Sequence, residues 1–156
     1  MNHSKFMREA IRLSQYNMRR NQGGPFGAVI VRDGKIVGRG WNRVTSAKDP
    51  TAHAEVSAIR DACKKLRTFV LEGCEIYASC EPCPMCLAAI YWARLDKIVY
   101  ANTRKDAARI HFDDNLIYRE IGLPVSRRKI PMKQFLRAEA LKVFAEWNAH
   151  PDKLRY

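Results

Sequence analysis

His53-Ala54-Glu55 and Pro82-Cys83-Pro84-Met85-Cys86 are the two stretches of this 156-residue chain equipped for chemistry. The first offers an imidazole and, two residues on, a carboxylate; the second offers two thiols three residues apart, with prolines at 82 and 84. Zinc binds nitrogen and thiolate sulfur tetrahedrally, and a catalytic zinc keeps one of its four positions for water. His53, Cys83 and Cys86 supply three ligands and leave that place free. Cysteines at i and i+3 in the first turn of a helix put both sulfurs on one face. The unpaired N–H groups of that turn favour thiolate over thiol. Two thiolates cancel the formal charge of the ion, so its water is less acidified than one held by neutral histidines. A separate base is then needed, and Glu55 stands next to a ligand with the wrong reach to be a fourth. The chemistry this implies is metal-assisted hydrolysis, the metal supplying hydroxide and Glu55 carrying protons.

Each piece alone has a plainer reading. A C-x-x-C can be half of a structural zinc site or a redox pair, and H-x-E is common by chance. Together and in this order they form the pattern of zinc-dependent nucleobase deaminases. Cys80 extends the run to C-x-x-C-x-x-C and is a candidate fourth ligand, ranked behind the others because it precedes the helix. A centre closed by Cys80 belongs to a zinc-stabilised binding module without catalysis. Cys63 and Cys74 read as small buried residues, and His3, His111 and His150 as solitary surface histidines.

The elements that must position these groups are legible from periodicity. Phe6, Ala10 and Leu13, with Met7, Ile11, Ser14 and Met18, predict an amphipathic helix over 4–21. Gly27 to Val31 is an apolar run suited to a buried strand. Asp33-Gly34 is a hairpin turn, and Lys35 to Trp41 is the returning strand. A polar loop runs from Asn42 to Pro50. Val56, Ile59, Cys63 and Leu66 predict a helix over 53–66, and Cys74 to Ser79 a strand. Pro82 and Pro84 suit the first turn of a helix reaching about Ala93. Lys97 to Ala101 reads as a strand, Leu116 to Ile121 as a short helix, Ile130 to Phe135 as an edge strand, and 138–148 as a last helix. The expected architecture is an α/β sandwich of three layers, helices on both faces of a mixed five-stranded sheet. The two ligand helices must lie side by side for their N-terminal ends to meet at one ion.

Length and composition fit one domain, 1–156, with no repeat, linker or low-complexity tract. No apolar run approaches the ~18 residues of a membrane span, and Met1-Asn2-His3-Ser4-Lys5 does not resemble a signal peptide. Five cysteines, an odd number, argue for reduced thiols or metal in the cytoplasm rather than a disulfide framework. The net charge is +12. Residues 1–50 hold 10 basic against 3 acidic side chains, and 101–156 hold 12 against 7. The middle third, with the metal motif, balances at 6 against 6. A solvated basic surface explains this better than a nucleic-acid footprint, since the basic clusters lack interleaved aromatics.

Gly23-Gly24-Pro25-Phe26-Gly27-Ala28-Val29, Asp49 to Glu55, Ser79 to Cys86 and Ala89 to Arg94 resemble bacterial guanine deaminases of the cytidine deaminase fold. Phe112 to Tyr118 and the terminal Tyr156 are similar too. The resemblance implies hydrolysis of guanine to xanthine and ammonia, with hydroxide attacking C2. It implies one Zn2+ per subunit on His53, Cys83 and Cys86, and Glu55 as proton shuttle. It also implies substrate contacts from Phe26, Asn42, Ala54, Trp92, Asp114 and Tyr156. Asp114 matches the paired N1 and 2-amino donors of guanine, Phe26 and Trp92 are planes for a purine, and Asn42 has a donor and an acceptor for its other polar edge. Read without the resemblance, Phe26 is better taken as a core aromatic and Asp114 as a cap for the helix beginning near Asn115, and Trp92 can also be read as a core residue. The family further implies a homodimer whose C-terminal segment, about 130–156, is exchanged so that Tyr156 closes the neighbour's pocket. A tRNA-adenosine deaminase is the competing enzyme, favoured by charge and disfavoured by Asp114 and a C-terminal lid.

Overall fold

The computed structural model describes residues 3–156. Met1 and Asn2, the start of the stretch read above for a signal peptide, lie outside the described residues. The chain divides into a first unit ending at Asp114 and a second from Asn115 to Tyr156.

The first unit runs α1 (His3–Arg19), β1 (Gly27–Arg32), β2 (Lys35–Trp41), α2 (Val44–Ala47), α3 (Ala54–Leu66), β3 (Cys74–Cys80), α4 (Pro84–Trp92), β4 (Lys97–Asn102) and α5 (Arg104–Arg109). Its strands pair in the order β2-β1-β3-β4. β1 is antiparallel to both neighbours and β3 is parallel to β4, so the sheet is mixed as expected. β1 is buried on both faces, which is why its sequence is an unbroken apolar run rather than an alternation. Ala28 and Ile30 pack with Ala54, Ala58, Ile76 and Ile90. Val29 and Val31 pack with Phe6, Leu13 and Tyr77 on the opposite face. α1 thus covers one side and α3 with α4 the other, giving the three layers.

Two local features fix where α3 lies. Asp33 and Gly34 both have positive φ, 50° and 70°, the mirror-image turn that returns β2 tightly against β1. Ala54, Ala58 and Ala62 then form a small-residue stripe, fully buried, against Gly38 and Gly40 of β2. A Cβ at Gly40 would overlap the Ala54 carbonyl oxygen, so backbone meets backbone directly above the start of α3. The predicted face of Val56, Ile59, Cys63 and Leu66 is only half-buried. Likewise Ile11 and Met18 of α1 are exposed, while Ser14 and Asn17 are buried, Asn17 donating from Nδ2 to the Leu13 carbonyl at 2.9 Å.

The second unit holds α6 (Asn115–Ile121), one 3-10 turn (Val125–Arg127) and α7 (Arg137–Ala149). Among the described residues the sheet has four strands, not five. Ile130 to Phe135, expected as the fifth, has no regular structure, and Ile130 and Phe135 are exposed. Pro131 removes a ladder donor, and Lys129 N–H is instead committed to Glu120 Oε2 at 2.6 Å.

Candidate metal centre and active site

Both ligand motifs sit at helix starts. His53 is the N-cap of α3 and Cys83 the N-cap of α4, each in extended backbone and neither making a side-chain cap hydrogen bond. These positions ordinarily belong to Ser, Thr, Asp or Asn, whose oxygen satisfies an orphan N–H. Here the side chains turn away from that duty toward each other. α3 and α4 pack together, as the metal reading required. Pro84 follows as the first helical residue of α4, where its missing N–H costs nothing, and Cys86 falls one turn on.

His53 Nδ1 lies 3.6 Å from Cys83 Sγ and 3.5 Å from Cys86 Sγ, and the three ligand atoms fall within 4.8 Å of one another. A tetrahedral zinc with Zn–S near ~2.3 Å and Zn–N near ~2.0 Å separates nitrogen and sulfur ligands by about 3.5 Å. The donor set and its spacing therefore fit zinc, with Nδ1 the ligating nitrogen. Cys80 does not join the cluster: its thiol donates to the Thr103 carbonyl at 3.7 Å, and burial holds its pKa up at about 11. Cys74 is fully buried and Cys63 half-buried, as read. His3 has company after all, its Nδ1 lying 2.6 Å from the hydroxyl of Tyr77, which in turn donates to Glu75 Oε2.

The electrostatics suit a cation. A hydrogen bond from Cys86, aided by His53, brings the Cys83 thiol down to about 4. The shared proton, with burial and Glu55, holds Cys86 up, and the contact with Cys83 raises His53. Cys83 is thus the thiol readiest to serve as a thiolate ligand, and the proton held on Cys86 is one a divalent ion displaces. Glu55, only 8% exposed, accepts from Cys86 Sγ at 3.4 Å, and burial pushes its carboxyl above the ordinary range. It faces the cluster without belonging to it.

Around this centre the structure sorts the other candidates. Asn42 is buried, and its Oδ1 accepts from Gly24 N–H at 3.1 Å and Val44 N–H at 3.2 Å. Those two donors engage both lone pairs of the amide oxygen, so of the donor and acceptor expected of Asn42 only the Nδ2 donor is left for a ligand. Ala54, buried, is the first residue of α3 beside His53. Phe26 is half-buried and meets Phe112 edge-to-face with ring centroids 4.9 Å apart. Asp114 is close enough to Cys83 for its thiolate to raise the Asp114 carboxyl, on top of the larger push from burial. Its Oδ1 lies 3.6 Å from Arg104 Nε. Trp92 is no core residue: it is 69% exposed at the far end of α4, roughly 9 Å along the axis from Cys86. Tyr156, in the second unit, is exposed.

Arg104 was not singled out from the sequence, and Phe112 only as the first residue of a resembling segment, with no role given to it. The signal for Arg104 was present: Thr103-x-x-Asp106 is a capping box, realised here in both directions, and it marks the start of α5.

Comparison with known proteins agrees with this geometry. Residues 1–102 match the model of the cytidine and deoxycytidylate deaminase zinc-binding region. Guanine deaminase of Bacillus subtilis is 50% identical over 156 residues, all of both chains. The X-ray structure of guanine deaminase from Bacillus subtilis superposes with a TM-score of 0.97, covering 100% of this chain and 99% of that one. A tRNA-specific adenosine deaminase of Aquifex aeolicus is 35% identical over 123 residues, 79% of each chain.

Proposed function

The chain belongs to the family of cytidine and deoxycytidylate deaminases that share this zinc-binding region, and from that premise we propose that it hydrolyses guanine to xanthine and ammonia. The observation that carries the reading is the buried Glu55 carboxylate against a His53–Cys83–Cys86 cluster of zinc spacing. Full-length identity of 50% to a guanine deaminase supports guanine over other bases. His53, Cys83 and Cys86 hold the metal, which when bound acts as a Lewis acid on water. Glu55 takes one proton of the attacking water and passes it to a ring nitrogen, then takes the proton left on the added hydroxyl and delivers it to the departing amine as the C–N bond breaks. Its burial keeps bulk water from competing for that proton.

Asp114 accepts from the N1–H and 2-amino group of the base, and Asn42 Nδ2 donates to the acceptor edge. Ala54 adjoins the ligand His53 at the start of α3, and Phe26 offers a ring plane held edge-to-face by Phe112. Trp92, exposed at the end of α4, reaches the base only from the outer rim. The competing substrate, an adenosine in a tRNA loop, presents no such pair of donors to Asp114.

The protein acts as a homodimer in which the C-terminal segment exchanges and Tyr156 covers the neighbour's pocket, excluding bases attached to sugar. The exposed Phe144, Trp147 and Leu154 of the second unit support a second copy. Five unpaired cysteines suit the reducing cytoplasm; no helix among the described residues is long and apolar enough to cross a membrane. The test is steady-state ammonia release from guanine, guanosine, cytosine and an adenosine-containing anticodon stem-loop by zinc-loaded protein. Guanine is expected to react, and turnover of the stem-loop alone overturns the assignment.

A further inference from the structure

Arg104 is the first residue of α5, and its backbone is fixed from two directions. The capping box holds the helix start: Thr103 N–H donates to Asp106 Oδ2 at 2.9 Å, and Asp106 N–H donates back to Thr103 Oγ1 at 3.3 Å. Arg104 N–H donates to Glu81 Oε2 at 2.9 Å, and Glu81 N–H donates to the Asn102 carbonyl at 2.8 Å. Glu81 is two residues before Cys83. The base of the Arg104 side chain is thus tied to the segment that delivers a zinc ligand. At the other end its Nε lies 3.6 Å from Asp114 Oδ1, with the carboxylate 16% and the guanidinium side chain 33% exposed.

We propose that Arg104 is a positioning residue for base recognition, holding the Asp114 carboxylate at a set distance from the Cys83–Cys86 turn so that it meets the amidine edge of the purine. This rests on the reading of Asp114 as the group that binds guanine. An acid at this place needs such a partner. Burial works against its charged form, and Arg104, 3.6 Å away, is the cation that opposes it. Once protonated, the carboxyl has a single good acceptor and a hydroxyl aimed at a donor, which cannot match two N–H groups. The contact is an ion pair of Nε with Oδ1 at 3.6 Å, close enough to hold the carboxylate charged and to bias where it points.

The experiment is steady-state kinetics on zinc-loaded protein with guanine, zinc content and Tm being measured for every variant. Arg104→Gln is expected to raise KM about tenfold while kcat stays within about twofold, because the lost contact orients the ground state and the transition state alike. Arg104→Lys, which keeps the charge but moves it off the Nε position, is expected to fall between. In an Asp114→Asn background the same Arg104→Gln change is expected to alter kcat/KM by less than about twofold, since the pair is already broken. An unchanged KM in Arg104→Gln, or an equal loss in both backgrounds, overturns the proposal. If Arg104→Gln yields no zinc-loaded protein, Arg104→Lys decides: wild-type KM overturns the role, and a raised KM at unchanged kcat supports it. Wild-type protein inert toward guanine removes the parent reading of Asp114; active wild type with an indifferent Arg104 removes only the positioning role.

Discussion

The two units of this chain use apolar residues in opposite ways. In the first, β1 and β3 with α1, α3 and α4 supply two buried clusters, β2 and β4 pack partly buried residues against them, and the metal centre lies at the edge of one of them. In the second, no described residue is buried, although Leu116, Ile117, Ile121, Ile130, Phe135, Val143, Phe144 and Trp147 are all there to be buried. A helix such as α7 gains little from intrinsic propensity alone and takes most of its stability from packing. The first unit therefore makes its site from its own chain. The second carries exposed apolar surface, which on the homodimer reading proposed above a second copy would cover.

The contrast makes graded predictions. The largest effect belongs to the first unit's chemistry. Glu55→Gln should lower kcat for guanine by about 10²–10⁴ while zinc content stays at wild-type level; an active Glu55→Gln would remove the proton-shuttle role. Next comes the scaffold under the ligands. Gly40→Ala forces α3 away from β2 where Ala54 follows His53, and should cost about 2–3 kcal/mol in unfolding free energy with weakened zinc retention, read by chemical denaturation and metal analysis.

A change in the second unit should leave the metal alone. Phe144→Ser with Trp147→Ser should weaken self-association at least about tenfold, roughly 1.4 kcal/mol, in sedimentation, with zinc bound stoichiometrically. Loss of zinc in that variant would erase the distinction between the two units.

The smallest effect is electrostatic and lies on the first unit's surface. Glu9 Oε1 and Oε2 accept from Arg12 of the same helix and from Arg39 of β2, and the Arg12 hydrogen bond holds its carboxyl below the ordinary value. A lowered folded-state pKa gives stability that is present above the unfolded value, near ~4.3, and lost as pH falls through the folded one. Glu9→Gln should thus cost about 0.5–1 kcal/mol at pH 7, and the gap to wild type should close in acid below pH ~4. A gap that persists there would locate the effect in packing rather than charge.

Legibility followed the same divide. Periodicity located nearly every element of the first unit because apolar spacing and turn residues act locally. It misjudged which face of α3 is innermost, since Ala54, Ala58 and Ala62 are small and give no strong apolar signal; only the glycines of β2 opposite them make that stripe the contact. It passed over α2 and α5, short helices rich in polar or charged residues, although the Thr103–Asp106 box was readable. It took Ile130 to Phe135 for a strand because alternation describes a segment and not its partner, and no neighbouring strand receives it.

The amino-acid order alone determined the ligand types, their assignment to two helix starts and the carboxylate beside them, because coordination chemistry and capping positions are properties of short segments. Only the tertiary structure decided that Nδ1 of His53 faces both sulfurs, that Cys80 turns to a carbonyl, that Asn42 has only donors to offer, and that Arg104 meets Asp114. Those facts depend on which distant segments touch, and contact between residues far apart in the chain is set by packing of the whole sheet and its helices.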